Sequence, residues 1–168
     1  YITNSYDADA SFVKINIDRI KGTVTIEDDG VSMTLDELGD NFLKVGNNRR
    51  KKYITKTTDK GRLVTGRKGF GKLACFGLFK SFKVDTYKNN QKSTLIVTSK
   101  LNEDDEFEYE ALIDEESTPI QHSNGTIIYL SENTSEIVDN ESLSESIAKR
   151  LNIMYDGTAT DPIGFKIF

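Results

Sequence analysis

FVKINIDRIKGTVTIEDDG, residues 12–30, alternates apolar and polar side chains on both sides of a Lys21-Gly22 turn. Alternation with period two marks a strand with one buried and one solvated face. FVKINID (12–18) and TVTIEDD (23–29) therefore predict a β-hairpin, which Gly30 breaks.

Five more strands are expected downstream. SFKVDTYK (81–88) and STLIVTS (93–99) flank an Asn89-Asn90 turn, a hairpin signature. EFEYEALI (106–113), GTIIYLSE (125–132) and GFKIF (164–168) are further strands. Helices are predicted over 1–10, where Ile2, Tyr6 and Ala10 share a face, and from Thr34 to about Val45. Thr34 and Glu37 form a capping-box pair, and Gly46 ends that helix. Two more helices are expected over about 70–79 and 142–155. This order predicts an α+β fold: a two-layer sandwich with a mixed, mostly antiparallel sheet and helices on one face.

Composition narrows the function. With 36% apolar and 29% charged residues, the 168-residue chain suits one soluble domain, predicted to be cytoplasmic, and no apolar run has membrane-spanning length. One cysteine, Cys75, excludes an internal disulfide framework, and its apolar setting predicts a buried thiol. His122 is the single histidine, which argues against a zinc centre or a His-based nucleophile pair. The net charge of −5 hides an asymmetry. Eleven Lys/Arg and one acid lie between Lys44 and Lys72, and nine Asp/Glu and no base between Glu103 and Glu116. The basic stretch points to an anionic ligand there. Residues 47–67 lack an apolar period and predict a lid or, equally by composition, a solvated insertion.

GRKGFGK (66–72) is glycine-rich and precedes an apolar segment. It is not a Walker A loop: GRLVTGRK (61–68) has Arg67 where Lys is required and no Ser or Thr after it. Nor is GFGKLA (69–74) a dinucleotide fingerprint, because no buried strand precedes it. Backbone N–H groups at such a turn suit phosphates, although tight-turn geometry alone explains the glycines equally well.

Four segments in order resemble the motifs of one family. NSYDA (4–8) resembles the N-box, DDGVSM (28–33) the DxGxGM motif, GRKGFG (66–71) the GxxGxG motif, and Gly125-Thr126 the GT pair of the GHKL ATPases. These are the gyrase, heat-shock chaperone, histidine kinase and MutL ATPases, which share the Bergerat fold. The glycine loop looks most like bacterial MORC-like and heat-shock-chaperone-like members. The resemblance implies ATP and Mg²⁺ as ligands. It implies Asn4 as the Mg²⁺ ligand, Asp28 as acceptor for the adenine amino group, Gly30 as room for the base, Met33 as a base-stacking group, and Thr126 as support for Asp28. It further implies that Gly66, Lys68, Gly69, Phe70, Gly71 and Lys72 surround the phosphates, with Asn41 and Lys44 nearby. Asp7 is expected to be structural. One departure is Ser32, where the motif has glycine; its Cβ either crowds the nucleotide or points aside.

The resemblance also sets expectations for the whole protein. The family's water-polarising Glu lies four residues before the Asn, on the same helix face, hence just before Tyr1. The expectation is an N-terminally trimmed ATP-binding domain over 1–168, with a lid at about 44–68, little hydrolysis of its own, and a transducer-like domain beyond. ATP hydrolysis coupled to lid closure and homodimerisation is the leading function. The alternatives are a nucleotide-gated, non-catalytic clamp on DNA or a protein client, and, third, a histidine-kinase catalytic domain, for which His122 is a poor acceptor.

Overall fold

A computed structural model describes residues 1–39, 57–65, 73–101, 107–114, 124–134, 139–151 and 165–168. Its elements are α1 (Ile2–Asp7), β1 (Phe12–Asp18), β2 (Thr23–Asp28), α2 (Leu35–Leu38), a 3₁₀ turn (Leu73–Gly77), β3 (Phe79–Lys88), β4 (Gln91–Leu101), β5 (Phe107–Asp114), β6 (Gly125–Asn133), α3 (Asn140–Leu151) and β7 (Lys166–Ile167). All seven expected strands form, and they join one sheet in the order β5-β4-β3-β6-β2-β1-β7. Every pairing is antiparallel except β1 with β7. The fold is thus the expected α+β mixed sheet.

The turns obey local chemistry. Gly22 has φ +63°, and the Asp18 carboxylate accepts from the Ile20 and Lys21 amides. Asn89 and Asn90 both have positive φ, the two-residue turn that suits strand twist. At α2, the Thr34 hydroxyl accepts from the Glu37 amide while the Glu37 carboxylate accepts from the Thr34 amide.

Strand alternation puts one set of side chains on one face, and the register stacks them in transverse rows. Val24, Leu130, Phe82 and Val97 form one row, and Ile26, Ile128, Val84 and Leu95 the next. Leu38 of α2, Cys75 of the 3₁₀ turn, and Tyr1 and Ile2 of the first segment pack against them. Burying each large apolar side chain of this layer is worth roughly 1.5–3 kcal/mol. The third row is polar: Asp28, Thr126, Thr86 and Ser93, all buried. The core face therefore ends in a polar strip beneath α1 and the turn after β2.

Three helix boundaries differ from expectation. The first helix stops at Asp7 rather than residue 10, because Asp9 takes a left-handed φ of 58° and the Ala10 amide returns to the Ser5 carbonyl. The segment expected as a helix over 70–79 is a 3₁₀ turn ending at Gly77, and Phe79 already belongs to β3. Phe79 is buried in the sheet face, and that burial outweighs helical continuation. The last helix starts two residues early, at Asn140. The helix beyond Gly39, the glycine loop 66–72 and His122 lie outside the described residues.

Candidate nucleotide-binding site

A cleft of about 240 Å³ opens over the polar end of the sheet face. Tyr1, Asn4, Ser5, Asp7 and Ala8 form one wall, and Asp28, Thr126 and Ile128 line the sheet side. Val31, Ser32, Met33 and Glu37 contribute the turn and α2, and Asp9, Thr58, Asp59 and Lys88 the rest. Four residues singled out in the sequence, Asn4, Asp28, Met33 and Thr126, thus meet in one cleft. They come from three segments, brought together because the Ser5–Asp28 bond ties α1 to the end of β2 and the β2–β6 register sets Thr126 opposite Asp28.

Asp28 and Asp29 are neighbours with different roles. Asp29 Oδ1 accepts from the Ser11 and Phe12 amides and ties the start of β1. Asp28 points to the buried face, 9% exposed. Its Oδ2 accepts from the Ser5 hydroxyl at 2.7 Å and its Oδ1 from the Gly30 amide at 2.9 Å. Burial pushes its pKa up, and the bonds from Ser5 and Gly30 offset that in part. A carboxylate has about four acceptor sites; two are used here, and the group still lines the cleft.

The space Gly30 leaves is filled by protein. A Cβ there would sit 2.7 Å from the Ala8 carbonyl oxygen and 3.0 Å from the Ala8 Cβ. The Val31 amide donates to the same carbonyl at 2.6 Å. This glycine lets the turn after β2 close onto the end of α1. Gly125 is constrained likewise: a Cβ would lie 2.4 Å from the Asp28 carbonyl oxygen.

Ser32 turns aside. Its hydroxyl donates to the Gly125 carbonyl at 2.5 Å and accepts from the Gly125 amide at 2.8 Å. Next to it, the Thr86 hydroxyl accepts from the Met33 amide at 3.0 Å and donates to the Met33 carbonyl at 3.1 Å. At the rim, Lys88 Nζ lies 2.6 Å from Glu37 Oε2, and this bond, with that from the Thr34 amide, holds the Glu37 pKa below its usual range.

Residues 57–65, within the expected lid, dock against α1. Thr57 bridges Leu63 across a tight turn with Gly61 at φ +80°. Asp9 accepts from the Thr58 hydroxyl and the Lys60 amide, and Asp7 from the Thr65 amide and hydroxyl. Arg62, only 1% exposed, donates to the Tyr6 and Ala10 carbonyls. Its guanidinium lies 4.7 Å from the Tyr6 ring centre and 5.3 Å from that of Phe165. Asp7, expected to be structural, is occupied by Thr65.

Asn41, Lys44, Gly66, Lys68, Gly69, Phe70, Gly71 and Lys72 fall outside the described residues. Sequence reasoning missed Ser5, Thr86, Glu37, Lys88 and the 57–65 anchor. Only Thr86 left a signal: it shares the alternating face of Phe82 and Val84. Among the described residues no cluster of three or more His, Cys, Asp or Glu could hold a metal. A hard cation that keeps its water and phosphate ligands needs few protein oxygens, and the Asn4 amide on the cleft wall fits that demand.

A seven-stranded mixed sheet with a polar cleft beneath an N-box helix defines a nucleotide-binding ATPase domain of the GHKL type. Residues 1–127 match the family described as histidine kinase-, DNA gyrase B-, and HSP90-like ATPase, and the chain belongs to it. A curated relative, the putative type II restriction enzyme HgiDII of Herpetosiphon aurantiacus, is 34% identical over 96 residues. That alignment covers 57% of this chain and 15% of the relative. No helix among the described residues is long and apolar enough to cross a membrane.

Proposed function

We propose that the cleft binds Mg-ATP and that the domain hydrolyses it within a larger protein. The observation that carries this reading is Asp28: a buried carboxylate, held by Ser5 and Gly30, with acceptor capacity left toward the cleft. Such a group suits an exocyclic amino group flanked by apolar surface. Asp28 accepts from the adenine amino group, Met33 packs on the base, and Thr126, opposite Asp28 in the β2–β6 register, supports both. The Asn4 amide oxygen would hold Mg²⁺, whose charge would offset that of the phosphates. Gly66, Gly69 and Gly71 present backbone amides to the phosphates, with Lys68, Phe70, Lys72, Asn41 and Lys44 around them. Water attacks the γ-phosphorus, the bond to the β–γ bridging oxygen breaks, and ADP and inorganic phosphate leave. Residues 44–68 act as a lid, and closure favours a nucleotide-dependent homodimer.

Titration of the chain with ADP and a non-hydrolysable ATP analogue, with and without Mg²⁺, tests the reading. Binding that Mg²⁺ strengthens is expected; no binding by the folded chain overturns it.

A second reading has its own observation. The relative is named a restriction enzyme, and eleven Lys/Arg lie between Lys44 and Lys72. On this reading ATP gates a clamp on DNA, and duplex binding weakens steeply with salt. Duplex binding with no dependence on salt or nucleotide counts against it.

A further inference from the structure

Among the described residues no backbone bond joins the turn carrying Val31, Ser32 and Met33 to the sheet end beside it; the Val31 amide goes to the Ala8 carbonyl instead. Two hydroxyls take that place. The Ser32 hydroxyl engages both backbone groups of Gly125, 93 residues away. The Thr86 hydroxyl engages both backbone groups of Met33, 53 residues away. Each hydroxyl has one proton to give and two acceptor sites, so one side chain can stand in for an entire backbone bridge. One stitch runs from the turn into the sheet, and the other from the sheet into the turn. Both are buried: Ser32 is 3% and Thr86 0% exposed.

Both stitches reach the sheet beside Thr126, on the cleft's sheet wall. Gly125 precedes Thr126, and Thr86 pairs directly with Thr126, which pairs with Asp28. Fixing Ser32 and Met33 therefore fixes the distance from the turn to Asp28 and Thr126, the span that a base must fill. Ser32 occupies the place where the motif has glycine, so this chain exchanges backbone freedom for a hydrogen-bonded anchor.

We infer that Ser32 and Thr86 are positioning residues that hold the 31–33 turn in its nucleotide-competent shape before the ligand arrives. This rests on the proposed nucleotide reading. A turn that must be ordered on binding lowers affinity by the fraction of molecules already competent. Pre-ordering removes that loss.

Ser32→Ala and Thr86→Val each delete one hydroxyl at nearly constant volume, and Thr86→Ser keeps it. The decisive measurement is amide exchange in the ligand-free chain, read beside ADP titration. Removing a purely local bond would expose its own partner alone: Gly125 for Ser32, Met33 for Thr86. If the turn is one positioned unit, Ser32→Ala also speeds exchange at Met33, and Thr86→Val at Gly125. ADP affinity falls on the order of tenfold in each, and saturating ADP restores the protection. Thr86→Ser stays near wild type in both. Exchange that rises only at the own partner, or ADP affinity within about twofold of wild type, overturns the inference. Wild-type chain that binds no ADP overturns the nucleotide reading together with it, whereas wild-type binding with unchanged variants overturns this inference alone.

Discussion

The Ser5 hydroxyl donates to Asp28 Oδ2 at 2.7 Å and joins α1 to the end of β2 across 23 residues. That bond sets the orientation of the carboxylate at the cleft floor. It also supplies one of the two donors that keep a buried charge tolerable.

Ser5→Ala leaves Asp28 with the Gly30 amide alone. The carboxyl pKa rises further, since burial is then less opposed. Loss of a hydrogen bond to a charged group costs the folded chain about 1.5–3 kcal/mol, and ADP binding weakens because the carboxylate loses its orientation. Titration calorimetry at neutral pH checks this; unchanged affinity refutes the role given to Ser5.

Asp28→Asn should separate stability from binding. The Asp28 pKa is raised in the folded chain, so folded protein holds that proton more tightly than unfolded protein does. Its cost to folding is absent below the ordinary carboxylate pKa, grows as pH rises, and is complete above the raised value. The Asn variant removes that cost and is expected to melt no lower than wild type at neutral pH. It turns an amide donor toward either the base or an existing donor, and ADP binding is lost. In wild type, ADP affinity falls as pH drops through the raised Asp28 pKa. Melting curves and titrations across that range check both statements.

Gly30→Ala tests why the glycine is there. The added Cβ meets the Ala8 carbonyl oxygen at 2.7 Å, backbone that cannot swing away. Overpacking of this kind costs about 1–3 kcal/mol. Stability and ADP binding should fall together, read by denaturant unfolding and titration. Lost binding at full stability would instead place the nucleotide itself against residue 30.

Arg62→Ala should unfold the 57–65 anchor. Arg62 is buried, bonded to the Tyr6 and Ala10 carbonyls, and placed against the Tyr6 and Phe165 rings. Removing it leaves the buried Ala10 carbonyl without that donor, at about 1–3 kcal/mol, while the Tyr6 carbonyl keeps the Asp9 amide. Arg62→Lys rescues little, because an ammonium lacks the planar fork that bonds and stacks at once. Limited proteolysis within 57–65 and urea unfolding report the loss.

Much of the architecture was legible from local signals. Alternation within 12–29 and within 81–132 marks strands, because a period of two is what a half-buried strand requires. The Thr34–Glu37 capping box and the Asn89-Asn90 turn are chemistry between near neighbours, and both form as expected. Motif order was enough to indicate the family and to bring Asn4, Asp28, Met33 and Thr126 into one cleft.

Other features exist only once distant segments meet. No local pattern says that β6 inserts between β2 and β3, or that Asp28, Thr126, Thr86 and Ser93 line up as a polar row. Residues 57–65 look like solvated insertion until Asp7, Asp9 and Arg62 bind them to α1. Ser5, Ser32 and Thr86 carry hydroxyls that any turn or strand could hold, and their partners lie 23, 93 and 53 residues away. Alternation and capping act within a few residues and are written in the order of the chain. A buried hydroxyl's bond depends on which backbone group packing carries to it, and chain order does not record that.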